Sequence, residues 1–200
     1  MSVVMTKRFP EPPLREKEIW RYARCGKPEE ETEKLLLDVL GEIRGRLSYQ
    51  VCYCELPVTL TEAGCDLGCF SVSSQALSKA LRGCDRVLLF GATLGVELDR
   101  QIARYGRISP AKALILQAVG AERIEALCDE FCGDYEAEHG VSLRPRFSAG
   151  YGDCPLETQR DIFTVLNCAK HIGLCLTDSL LMSPSKSVTA FAGILRGAET

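Results

Sequence analysis

Apolar positions first recur at helical spacing in Leu36, Val39, Leu40, Ile43 and Leu47, behind Pro28 and the acidic run Glu29-Glu30-Glu31. Proline tolerates the first turn of a helix and the helix dipole favours carboxylates there, so the spacing predicts a helix with one buried stripe. A shorter helix is predicted over 15–24. Across 49–60 the pattern shifts to Val51, Tyr53, Leu56 and Val58, β-branched, aromatic and aliphatic positions that suit a strand. A second short strand is predicted near Phe70, with Ser73 or Ser74 placed to cap a helix over 75–81. The run DRVLLF at 85–90 reads as a buried strand, with Gly91 and Gly95 punctuating a turn into a helix over 96–105.

Ser109-Pro110 opens the longest predicted helix, which carries Ala111, Leu114, Ile115, Ala118, Val119, Ile124, Leu127 and Phe131 and stops at Gly140. Beyond it the pattern predicts a strand over 141–147, a loop, a helix over 156–171, and two short strands within 174–182 and 187–195. Helices and strands interleave too irregularly for βαβ winding, so the expected class is α+β. Residues 1–14, with prolines at 10, 12 and 13, read as an extended arm, and residues 15–200 as a single domain.

Composition narrows the function. Hydrophobic residues make up 46% and charged residues 26%, ordinary for a globular chain. A net charge of -3 with scattered basic residues argues against a nucleic-acid partner, which needs a basic face. Residues 1–15 lack the apolar run of a secretory signal, and no stretch approaches about 20 apolar residues, so neither export nor a membrane span is expected. The expected location is the cytoplasm. Eleven cysteines, an odd number without a signal, read as free thiols in a reducing compartment. Cys52 and Cys54 should face one way on a strand, and Cys128 and Cys132 should share a helix face. No CxxC pair occurs, so no metal site is expected.

The residues with most chemical content lie in the last third. Arg146-Phe147-Ser148-Ala149-Gly150-Tyr151 followed by Cys154-Pro155 resembles the RxxxGY…CP signature of the reactivation (activation) domain of cobalamin-dependent methionine synthase. Lys170-His171-Ile172-Gly173 with Leu176-Thr177-Asp178-Ser179, then Met182-Ser183-Pro184 and Ser187-Val188, resemble further motifs of that family in the same order. GATLGVELD at 91–99 and KALILQAVGAERIEAL at 112–127 are similar to its free-standing forms. The resemblance implies mixed helices around a twisted antiparallel sheet. It also implies a binding site for S-adenosylmethionine that involves Arg146, Ala149, Gly150 and Tyr151. An acidic residue that the fused domains place on the long helix falls near Ala126, and Glu125 beside it is the candidate here.

The chemistry agrees with those residue types. A guanidinium can grip the ligand carboxylate in a two-point fork, Gly150 allows close backbone approach, and Tyr151 can lie along the ligand while keeping a hydrogen bond. The implied reaction is reductive methylation of an oxidised corrinoid, with an electron from a flavodoxin- or ferredoxin-type donor and the methyl of S-adenosylmethionine. The chain lacks the family's Asp-x-His-x-x-Gly corrinoid motif. Its cobalamin is therefore expected on a partner, a corrinoid-binding methionine synthase without this domain. No catalytic residue is expected, because the protein's part would be positioning.

Plainer readings stand beside these. Arg146 can be an ion-pair arginine next to a glycine turn, Tyr151 can cover a core edge, and Asp153 can cap the helix that Cys154-Pro155 starts. His139 and His171 read as helix-end residues. The alternative function is an adaptor that docks on a corrinoid protein without using S-adenosylmethionine.

Overall fold

The computed structural model describes residues 3–196. In chain order its elements are β1 (Met5–Arg8), α1 (Glu16–Tyr22), α2 (Glu30–Ile43), β2 (Gln50–Pro57), β3 (Thr59–Leu60), β4 (Cys65–Asp66), β5 (Ser71–Val72) and α3 (Gln75–Ala80). They continue with β6 (Arg86–Thr93), α4 (Glu97–Ile108), α5 (Pro110–His139), β7 (Val141–Leu143), α6 (Thr158–Leu166), α7 (Cys168–Ile172), β8 (Cys175–Leu176), β9 (Met182–Ser183) and β10 (Ser187–Arg196). This is the expected α+β class. Five strands form an antiparallel sheet in the order β1-β2-β6-β10-β7, with two small sheets, β3-β4-β5 and β8-β9, outside it.

Strand alternation divides the interior in two. Val51 and Tyr53 of β2, Leu88, Phe90 and Ala92 of β6, and Ala190 and Ala192 of β10 face one core, covered by α1, α2, α4 and α5. Cys52, Cys54, Val87, Leu89 and Phe191 face the other, covered by α3, α6 and α7. The centre of the first core is Phe131, whose ring lies 5.0 Å from Phe90 and 5.1 Å from Tyr53. α5 is buried over much of its circumference because α1, α2 and α4 all pack on it. Gly140 ends it at φ +63°, as expected from a left-handed C-terminal cap.

Several elements depart from the pattern. Gly91 lies inside β6, not in a turn: a Cβ there would meet the Cys168 Sγ at 3.1 Å and the Cys52 Sγ at 3.6 Å. Close packing explains this glycine, and only Gly95, at φ +78°, makes the turn. The expected helix over 156–171 is two helices, broken where Asn167 adopts a left-handed conformation at φ 45°. Asp153 does not cap α6. It accepts from the Gln75 and Ala76 amides at 2.8 and 3.1 Å and from the Ser74 hydroxyl, so it caps α3 together with Ser74. β10 is ten residues long and sits inside the main sheet, where a short strand over 187–195 was expected; the one expected within 174–182 is the two-residue β8, paired with β9. The strand over 141–147 ends at Leu143, and beyond it the chain keeps to β10 through the Arg144 amide and a bridge between Phe147 and Phe191.

Residues 1 and 2 of the expected arm lie outside the described residues. The rest is extended but tied down. β1 pairs with β2, and the Pro12 and Pro13 carbonyls accept from the Arg123 guanidinium at 2.6 and 2.8 Å.

Candidate functional site

The segment after β7 runs beside β10. Arg144 donates its amide to the Gly193 carbonyl at 2.8 Å, and Phe147 and Phe191 exchange both backbone bonds. Alternation along this extended stretch sends Arg146 and Ser148 towards α5, while Phe147 and Ala149 are buried in the second core. Arg146 therefore enters a cleft of about 570 Å³ between this segment and α5, lined also by Glu125, Cys132, Glu136, Arg144 and Val188.

Ion pairs dominate this wall. Arg146 donates from one terminal nitrogen to Glu125 Oε2 at 2.7 Å and from the other to Asp129 Oδ1 at 2.6 Å. The second oxygen of Asp129 accepts from Arg15 Nη1 at 2.6 Å. Arg15 is itself anchored through its backbone amide and Nε to Glu122 Oε1, at 3.2 and 3.3 Å. Glu122, fully buried, pairs in turn with buried Arg123, whose guanidinium holds the Pro12 and Pro13 carbonyls. A second cleft of about 420 Å³ lies under that strap, with Pro12, Pro13, Arg15, Ala126, Asp129 and Glu130 in its walls. The Arg146–Asp129 bond thus joins a wall of one cleft to a wall of the other.

The titration of these groups follows from the same contacts. Burial works against the Arg146 charge, but the Asp129 and Glu125 carboxylates outweigh it and raise its pKa. Burial would also raise Asp129; its bonds to Arg146 and Arg15 prevail and hold it below the usual aspartate value. Cys132, at the cleft wall, is pushed up chiefly by burial and remains a thiol at neutral pH. This arrangement can bind and orient an ionic ligand. It presents no nucleophile paired with a base.

Of the residues singled out from sequence, Arg146 and Glu125 meet directly. Ala149, Gly150 and Tyr151 do not join them at the cleft. Ala149 is buried, and Gly150, at φ +85°, forms a turn against Leu156 in which the Tyr151 amide donates to the Ser148 carbonyl at 3.2 Å. Tyr151 is 71% exposed, its ring edge-on to Phe147 at 5.7 Å. Asp129, Arg15 and Glu122 were not anticipated. Glu122, Glu125 and Asp129 are spaced as one helical face, a signal present in the sequence; nothing local pointed to Arg15. His171 ends α7 ahead of Gly173, and His139 ends α5 with its ring stacked on Tyr135. Among the described residues no group of three or more His, Cys, Asp or Glu could hold a metal ion, and no helix is long and apolar enough to cross a membrane.

Comparison with known proteins converges on one fold. No curated protein matches the chain. A solved structure of the methionine synthase (MetH) reactivation domain bound to S-adenosylhomocysteine aligns with a TM-score of 0.70 at 16% identity, covering 99% of this chain and 80% of that one. The family model for the activation domain of vitamin B12-dependent methionine synthase matches residues 137–196, the stretch that holds Arg146, Gly150, Tyr151 and the later motifs. The resemblance read from the motifs is borne out in those two respects: the C-terminal part matches the methionine synthase activation-domain family, and the chain as a whole has the fold of its reactivation domain.

Proposed function

We propose that the chain binds S-adenosylmethionine at the Arg146 cleft and supports reductive methylation of a corrinoid carried by a partner, a methionine synthase lacking this domain. The observation that carries the reading is the Arg146–Glu125 pair at the cleft wall, of which Arg146 lies in the stretch that the family model matches and Glu125 on α5 outside it. The ligand's amino-acid end is a zwitterion, and a zwitterion can insert into such a pair by taking the arginine with its carboxylate and the glutamate with its ammonium. Glu125 is 39% exposed and free to move, whereas Arg146 is more enclosed at 24%. The cleft volume also falls in the usual range for small ligands, about 300–1,000 Å³. The residues present therefore fit the group. It would supply the methyl, and an electron would come from a flavodoxin- or ferredoxin-type donor.

The chain's own residues would bind and orient. Arg146 fixes the carboxylate, Glu125 receives the ammonium, and the Ala149-Gly150 backbone with Tyr151 closes the site from the loop side. Tyr151 must swing towards the cleft for that, and its exposure leaves it free to do so. The test is recovery of methionine synthesis by an inactive cobalt(II) partner given this protein, S-adenosylmethionine and a flavodoxin reducing system. Recovery that requires all three is expected; no recovery with a partner confirmed to bind the chain would overturn the reading.

One observation favours a second reading. Both terminal nitrogens of Arg146 already hold protein carboxylates. A fold kept only as an adaptor for a corrinoid protein would need nothing more from that arginine. Partner binding without ligand binding is its signature.

A further inference from the structure

Asp129 occupies an unusual position for a helix carboxylate. Its two oxygens are taken separately by two guanidiniums, Arg146 at 2.6 Å and Arg15 at 2.6 Å, at the junction of the two clefts. The arginines come from opposite ends of the chain. Arg15 is set in place by fully buried Glu122 and by the strap that Arg123 pins through the Pro12 and Pro13 carbonyls. Arg146 is set by the backbone pairing of its neighbours with β10. Two positioned guanidiniums around one carboxylate make a cradle for a carboxylate, and here the protein's own side chain fills it. Asp129 remains 47% exposed and can rotate away, while Glu122 continues to hold Arg15.

We infer that Arg15 and Arg146 together form the carboxylate-binding cradle of the ligand site, and that Asp129 is a built-in competitor that the ligand's carboxylate must displace. The inference rests on the proposed S-adenosylmethionine reading and adds two residues to it: Arg15 as a second carboxylate-binding residue and Asp129 as the group that sets affinity. Displacement moves the Asp129 charge into the cleft beneath the strap, which it already lines, beside the place that the ligand carboxylate then occupies. There it can face the ligand's cationic end, as an ammonium or sulfonium requires. No bond is made or broken; two ion pairs exchange partners.

The test is calorimetric titration of S-adenosylhomocysteine, and of 5′-methylthioadenosine as the matching nucleoside without the amino-acid end. The proteins are wild type, Asp129→Asn, Arg15→Ala and Arg15→Lys, each checked for a cooperative thermal transition. Arg15→Lys keeps the charge near Glu122 if the alanine variant fails to fold. Asp129→Asn is expected to bind S-adenosylhomocysteine about ten-fold tighter, and both Arg15 variants to bind it several-fold to about ten-fold weaker. The affinity for 5′-methylthioadenosine should be the same in all folded variants. Unchanged or weaker binding by Asp129→Asn, with measurable binding by wild type, overturns this inference and leaves the ligand reading standing. Failure of every variant to bind either compound overturns the ligand reading itself, and the inference with it.

Discussion

Arg146 shows how one residue type can satisfy two readings at once. It is an ion-pair arginine beside a glycine turn, and it is also the best-placed cation in the cleft. The surrounding acids make the site sensitive to acid. Asp129 titrates below its ordinary value of 3.8 in the folded chain, so its ion pairs contribute stability above that pH and lose it as pH falls through the folded value. The side chain is half exposed, which limits the contribution to at most about 1 kcal/mol. Urea unfolding of wild type and Asp129→Asn should therefore differ most near neutrality and converge as the pH falls below 3.8. A difference that stays constant with pH would show that Asp129 acts by packing rather than charge. Arg146 could be found from its motif, and Glu125 from its place on the long helix. Asp129 was readable in principle from the spacing Glu122, Glu125, Asp129. Arg15 was not, because its partners are more than 100 residues away and no local pattern records a contact of that range.

Among the elements, those with strong periodicity emerged clearly from the sequence. α5 begins at Ser109-Pro110 and ends at Gly140 as the pattern requires, and Ser74 caps α3 through the Leu77 amide at 3.0 Å. Errors gathered where a residue serves a neighbour in space. Gly91 looked like a turn residue because glycine punctuates turns more often than it makes room for sulfur. Asp153 sits one residue before Cys154-Pro155 but spends its carboxylate on α3. The α4–α5 crossing is packed on the same principle as Gly91. A Cβ on Gly120 would lie 2.3 Å from Leu98 Cδ2 and 2.9 Å from the Lys186 stem. Gly120→Ala should thus destabilise the protein by about 1–3 kcal/mol despite the better helix propensity of alanine. A rise in the urea midpoint for this variant would contradict the packing described.

At the scale of the molecule, one antiparallel sheet separates two cores and exposes the Arg146 cleft along the edge where α5 meets the segment after β7. All eleven cysteines are free, and most are buried. Burial pushes the Cys54 thiol up to about 12 and the Cys65 thiol up to about 11, from an ordinary 9.0. Because the folded values are raised, the stability these thiols confer is complete below pH 9 and is lost as pH climbs through 11 and 12. Unfolding followed from pH 7 to 11 should show a declining midpoint above pH 9 that Cys54→Ser or Cys65→Ser shifts or blunts. An unchanged profile in both variants would place the alkaline transition elsewhere. The α+β class was legible because helix and strand periods alternate without βαβ regularity. The length of β10 and its interior place between β6 and β7 were not, since its Ala190, Ala192 and Gly193 give a weak strand signal that only sheet pairing resolves.

We propose binding of S-adenosylmethionine in the cleft around Arg146. Its most direct test is calorimetric titration of that ligand into wild type and Arg146→Ala, with the thermal transition of each recorded in parallel. Binding by wild type, reduced at least about 100-fold in a folded Arg146→Ala variant, is the expected result, as loss of a charge-assisted two-point contact implies about 3 kcal/mol. Equal affinity in the two proteins, or no binding by wild type with or without its corrinoid partner, would contradict it.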